Sequence, residues 1–107
     1  HSKLMKSAVE RMQNVLDTIK FLDFEIPMVT NFDARTITDK SKIKRLLLDQ
    51  LTSPVLWHQS INYLNSNLGV KSFLEVGPKN VLSGLIKRIV PDCNILNFGE
   101  KADLEKI

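Results

Sequence analysis

The sequence predicts an α/β fold, with helices flanking a mostly parallel sheet. Three observations lead there. Segments with apolar residues at three- and four-residue steps alternate with short, partly β-branched apolar runs. Gly69, Gly77-Pro78, Pro91 and Gly99 punctuate the second half at the boundaries between such segments. The 107 residues, 43% hydrophobic and 25% charged, leave room for one small domain and not for two.

The elements follow in order. Leu4, Met5, Ala8, Met12, Val15, Leu16 and Ile19 make one face of a helix over about Lys3 to Lys20, with Ser2 as its N-cap. Ile26 to Phe32 reads as a strand, with Pro27 near its start. Asn31 to Arg35 then turns, and Thr36-Ile37 returns as a short strand. Thr38 and Asp39 cap a second helix carrying Ile43, Leu46, Leu47 and Leu51. Ser53-Pro54 reads as the N-cap and first position of a third, continued by Trp57, Ile61, Leu64 and Leu68 and ended by Gly69.

Val70 to Val76 is a compact apolar run, expected to be a strand buried on both faces. Gly77-Pro78 turns the chain into a helix carrying Val81, Leu82, Leu85, Ile86 and Ile89, which stops before Pro91. Ile95, Leu96 and Phe98 form a last strand, broken by Gly99, and Ala102 to Ile107 a short terminal helix. Right-handed crossovers would place the helices on the faces of the sheet.

Composition narrows the function. Fifteen Lys+Arg against twelve Asp+Glu give a formal charge of +3. That excess favours an acidic partner, but no basic run is interleaved with aromatic residues, so nucleic acid is not expected. No apolar stretch nears the ~20 residues that span a bilayer, and no signal peptide is visible, so no membrane association is expected. Cys93 is the only cysteine, which rules out an intrachain disulfide and fits a reducing, cytoplasmic setting. The chain opens at His1 directly into a helical pattern, as a cut beginning would.

Little in the inventory carries chemistry by itself. His1 and His58 stand in no metal-ligand spacing with each other or with Cys93, so no metal is expected. His58 reads as a partly exposed helical residue. His1 reads on spacing alone as a tag remnant or a disordered terminus. There is no Gly-x-Ser-x-Gly elbow and no Gly-rich phosphate loop. Glu75 ends a strand where α/β folds hold ligands, but one acid is not a mechanism.

The wording of the chain goes further. His1-Ser2-Lys3-Leu4-Met5 resembles the His-Ser-x-x-Met segment of the malonyl-CoA:acyl carrier protein transacylases, and Ile26 to Arg35 resembles their Ile-Pro-Val-Val-Ser-Asn-Val-Asp-Ala strand and turn. Gln50-Leu51-Thr52-Ser53-Pro54-Val55-Leu56-Trp57 is similar to their Gln-Leu-x-x-Pro-Val-x-Trp. Glu75 to Leu82 is similar to their Glu-Val-Gly-Pro-Gly-x-Val-Leu turn, with Lys79 where the family often has Gly. Lys at that place tolerates a positive φ poorly.

The resemblance implies the C-terminal part of the large, α/β-hydrolase-like subdomain of an acyltransferase, occupying residues 1–107. It implies transfer of malonyl from coenzyme A to the thiol of acyl carrier protein in fatty acid biosynthesis, through a Ser-His mechanism. On this reading His1 is the general base and acid, oriented by the main-chain carbonyl of Gln50. Malonyl-CoA and acyl carrier protein are the implied partners; the coenzyme A thioester is substrate, and no cofactor is implied. The nucleophilic serine has no counterpart in the 107 residues, so the chain is expected to be inactive alone. Two other readings stand beside it: an acyltransferase segment of a polyketide synthase, and a non-catalytic carrier-protein-binding module using Lys79, Lys87 and Arg88. Exposed sheet edges would favour self-association.

Overall fold

The computed structural model describes residues 3–106, as two compact units that meet in sequence between Ser60 and Ile61. The expected N-cap Ser2 lies outside the described residues.

In the first unit, α1 spans Lys3–Asp17, short of the expected Lys20. Its last turn closes as Thr18 donates to the Val15 carbonyl through both its N–H and its hydroxyl. Leu16 is the buried residue of α1; Leu4, Met12 and Val15 on the apolar stripe are exposed. The expected strand over Ile26 to Phe32 shrinks to β1, Met28–Val29, which pairs with β2, Thr36–Ile37. The pair is antiparallel, with Met28 opposite Ile37 and Val29 opposite Thr36. Parallel pairing needs a crossover of a dozen residues or more, and the link between these strands is only a turn. Asp33 ties that turn, accepting from the Thr30 hydroxyl at 2.9 Å and from the Arg35 N–H at 3.2 Å. Ala34 within it has φ +55°.

The second helix, α2, spans Lys40–Asp49 and is capped as expected by Asp39, which accepts from the Ser41 N–H at 2.9 Å. Ile43 and Leu48 are buried. A 3-10 turn, Gln50–Thr52, follows, and α1 packs against both α2 and this turn. Lys44 and Asp17 join α1 to α2 as an ion pair.

Ser53-Pro54 does not start the next helix. Ser53 is extended (φ −122°, ψ 154°), the conformation that a following proline enforces. The chain then has no regular structure until α3 begins at Trp57, and the Leu56 N–H bonds the Asn31 carbonyl at 3.0 Å. The helix α3, Trp57–Asn62, continues as a π-helical turn, Tyr63–Asn67. Gly69 ends it at φ +68°, as its sequence position predicts.

In the second unit, β3 spans Ser72–Val76, α4 Val81–Ile89 and β4 Asn94–Phe98. The strands pair in parallel, in register from Ser72–Asn94 to Val76–Phe98. The connecting α4 packs on both strands. Burial on both faces of β3 is not observed: Phe73 and Glu75 are half-buried, whereas Leu74 and Val76 are exposed. The mostly parallel sheet expected is thus, among the described residues, one antiparallel and one parallel pair. The short terminal helix expected is a 3-10 helix, Lys101–Lys106; Ile107 lies outside the described residues.

Candidate functional site

His1 lies outside the described residues. Its proposed partner, Gln50, is both the C-cap of α2 and the first residue of the 3-10 turn. It is half-buried, with φ −68° and ψ −19°, and its N–H bonds the Leu46 carbonyl. Carbonyls at the end of a helix lack intrahelical donors, so their partners come from elsewhere. The turn that carries Gln50 packs against α1, the helix that begins two residues after His1.

A hydrogen-bond network surrounds the start of α4. Asn80, the N-cap, makes no side-chain capping bond. Glu75 supplies the acceptors instead. Its carboxylate receives the Ser83 N–H at 2.9 Å, the Ser83 hydroxyl at 2.7 Å and the Leu82 N–H at 3.3 Å. Asn97 on β4 donates to the same carboxylate at 3.1 Å and to the Ser83 hydroxyl oxygen at 2.9 Å. The Ser83 hydroxyl bond, above all, holds the Glu75 carboxyl below its ordinary pKa. The network ties β3, β4 and α4 together and occupies the helix N-terminus with a carboxylate, where its charge is favourable.

Beside it, an open cleft of about 290 Å³ lies beyond the C-terminal ends of β3 and β4, lined by Pro78, Lys79, Asn97, Gly99, Glu100 and Asp103. Lys79 keeps the left-handed conformation, φ +71°, although a lysine tolerates it poorly. Gly99 is packed so tightly that a Cβ would sit 2.8 Å from the Gly77 carbonyl oxygen. Asp103 is buried and accepts from Lys106 Nζ at 2.9 Å, the Gly99 N–H at 2.8 Å and the Glu100 N–H at 3.1 Å. Lys106 first, then the two N–H groups, lowers its pKa to about 2. The Asp103 carboxylate is thus engaged in holding the loop after β4.

The three basic residues of the binding-module reading are spread along α4. Lys79 precedes α4, whereas Lys87 and Arg88 lie in its last turn, about 10 Å further along the axis. Lys87 Nζ also donates to the Cys93 carbonyl at 2.8 Å. His58 is exposed on α3, as expected. Beside it, the buried Trp57 indole N–H has no acceptor among the described residues. Among those residues no cluster of His, Cys, Asp and Glu is placed to hold a metal, and no helix is long and apolar enough to cross a membrane.

Sequence reasoning missed the capping role of Glu75 and the loop-holding role of Asp103. The partners of Glu75 at Ser83 and Asn97 are distant in sequence, so only the fold reveals them. Asp103 had a local signal, an acid four residues after a glycine that ends a strand.

No protein-family model matches the chain. Individual relatives do. The malonyl CoA-acyl carrier protein transacylase of Bacillus subtilis (strain 168) is 45% identical over 89 residues, which are 83% of this chain and 28% of that protein. The crystal structure of the Synechocystis sp. PCC 6803 malonyl-CoA:ACP transacylase is 32% identical and superposes with a TM-score of 0.87, covering 100% of this chain and 36% of that one. A type II PKS acyl-carrier protein in complex with its malonyl-transacylase gives 34% identity and a TM-score of 0.84, over 99% and 34% of the two chains. The chain thus spans about a third of the length of the relatives it matches. Its mixed helix and strand architecture is that of the matching region in those structures. By sequence and by fold, the chain is similar to a stretch of the malonyl-CoA:acyl carrier protein transacylases about a third as long as they are.

Proposed function

We propose that this chain is the C-terminal part of a malonyl-CoA:acyl carrier protein transacylase of fatty acid biosynthesis, and that His1 is its general base and acid. The observation that carries the reading is the match to such enzymes, by sequence and by fold, across essentially the whole chain. The region would be the end of an α/β-hydrolase-like large subdomain. The complex of an acyl-carrier protein with its malonyl-transacylase, which shares this fold, supports acyl carrier protein as the acceptor.

The chemistry needs a base because a serine hydroxyl is a weak nucleophile at neutral pH. An imidazole suits the role, since its ordinary pKa lies near neutrality. It takes the serine proton as malonyl leaves coenzyme A and returns one to the departing thiolate. In the second step it accepts the carrier thiol's proton as that sulfur attacks the malonyl ester, and gives it to the serine oxygen as the ester's C–O bond breaks. The Gln50 carbonyl would accept from the imidazole Nδ1–H and leave Nε2 facing the serine. The packing of α1 on the turn that begins with Gln50 supports this pairing.

The test is malonyl transfer to acyl carrier protein, measured with this chain in place of the matching region of the Bacillus subtilis enzyme. His1→Ala in that chimera should lower kcat about 10³-fold. Gln50→Ala, which keeps the main-chain carbonyl, should cost less than about tenfold. Full activity of the His1→Ala chimera would end the assignment of the base. Transfer of another acyl group, but not of malonyl, would end the substrate assignment alone.

A further inference from the structure

The turn between β1 and β2 is more closely determined than a connection of its length requires. Thr30 is only 3% exposed, and its hydroxyl donates to Asp33. The Ala34 N–H donates to the Thr30 carbonyl at 3.2 Å, and the Arg35 N–H to the Asp33 carboxylate. Ala34 is buried at φ +55°, a conformation that a side chain keeps only where its neighbours enforce it. One further bond reaches out of the turn. The Asn31 carbonyl accepts the Leu56 N–H at 3.0 Å, closing a loop that holds β2, α2 and the 3-10 turn of Gln50.

Gln50 needs such a fixed point. Its N–H is shared between the Leu46 and Leu48 carbonyls, as at many helix ends. The last carbonyls of a helix have no intrahelical donor to aim them, so their direction follows the path by which the chain leaves. That path runs from the 3-10 turn through extended Ser53 to Leu56, where the Asn31 carbonyl anchors it. We infer that Thr30 and Asp33 are positioning residues of the transacylase reaction. They fix the turn that anchors Leu56, and so the direction of the Gln50 carbonyl that orients the His1 imidazole. The inference rests on the family reading above and extends it to two residues beyond the proposed base and its carbonyl. A displacement of about 1 Å at a catalytic group costs on the order of 100-fold in rate, so a slackened anchor shows in turnover before it shows in the fold.

The Bacillus subtilis chimera provides the test. Thr30→Val keeps the shape of the side chain and removes its hydroxyl, and Asp33 retains the Arg35 N–H, so the fold should survive. The variant should lower kcat about tenfold and change KM for malonyl-CoA by less than about twofold. A carbonyl that accepts from the imidazolium favours the charged form, so the acid limb of the kcat–pH profile should move to lower pH, by about 0.5. Thr30→Ser keeps the hydroxyl and should hold kcat within about twofold of the parent, with the limb in its original place. Leu56→Pro cuts the anchor from its other end, just before the first residue of α3, where proline is tolerated; it should reproduce both the loss and the shift. A purely structural turn would lower the Tm and leave the pH profile in place. Unchanged kcat, or a fall in kcat without the shift, overturns the inference, as does loss of the fold in both Thr30→Val and Leu56→Pro. A parent chimera that transfers no malonyl refutes the proposed function and the inference with it, whereas an active parent with normal variants refutes the inference alone.

Discussion

Lys79 holds a backbone conformation that a side chain disfavours: φ is +71°, and the residue is exposed, with no packing to repay the strain. The family's frequent Gly at this turn made the position legible in the sequence. Lys79→Gly should therefore stabilise the protein by about 1 kcal/mol, raising the Tm by about 5 °C, net of the entropy that glycine adds to the unfolded chain. Thermal unfolding checks it; an unchanged or lowered Tm would mean that the turn carries no strain. Ala34, at φ +55°, is the same kind of position but buried, so removing its methyl group would also empty space. No local signal set it apart from the neighbouring turn residues.

At the scale of elements, α4 depends on a residue outside itself. The Glu75 carboxylate caps the helix from the neighbouring strand, accepting the Leu82 and Ser83 N–H groups that a helix start leaves unpaired. Glu75→Ala should lower the Tm by about 5 °C or more and raise amide exchange at Leu82 and Ser83 before it does so in β4. Unaltered exchange at Ser83 would show that Asn80 caps the helix when Glu75 is absent. The sequence revealed α4 well, because its apolar period, its preceding turn and Pro91 agree. It misplaced the start of α3, because Ser53-Pro54 carries a cap signature that also suits extended chain leaving a 3-10 turn. It overextended the first strand, because β-branched residues beside Pro27 do not pair without a partner, and β2 is only two residues long.

For the molecule as a whole, the alternation of helix and strand was legible, while the pairing was not. Hydrophobic runs say that strands exist, whereas the length of each connection decides whether paired strands run parallel, and of the two pairs only β3–β4 has a helix between its strands. The family motifs pointed to His1 and Gln50 through resemblance; the described fold places Gln50 and leaves the imidazole to the chimera. Acid stability is a property of the whole chain. Asp39, Glu75 and Asp103 all have pKa values below their ordinary 3.8, 4.5 and 3.8. Groups depressed in this way stabilise the fold fully above their unfolded pKa values and lose that contribution as pH falls through the folded ones. The Tm should therefore be flat above about pH 5 and fall steeply below pH 4, with the share due to Asp103 persisting until about pH 2. Asp103→Asn should flatten the part of the profile between pH 4 and 2, as followed by circular dichroism during acid titration. An unaltered slope there would assign the acid sensitivity to other groups.

The contact between Gly99 and Gly77 has a consequence for how this region can vary. A side chain at 99 would meet the carbonyl oxygen of residue 77 at 2.8 Å, and residue 77, at φ +137°, itself admits little but glycine. The two loops that leave the parallel strands are therefore linked as sequences. Position 99 can change only if the loop at 77 is re-routed, whereas position 77 is held by its own backbone conformation, since a Cβ there would meet nothing within 4 Å.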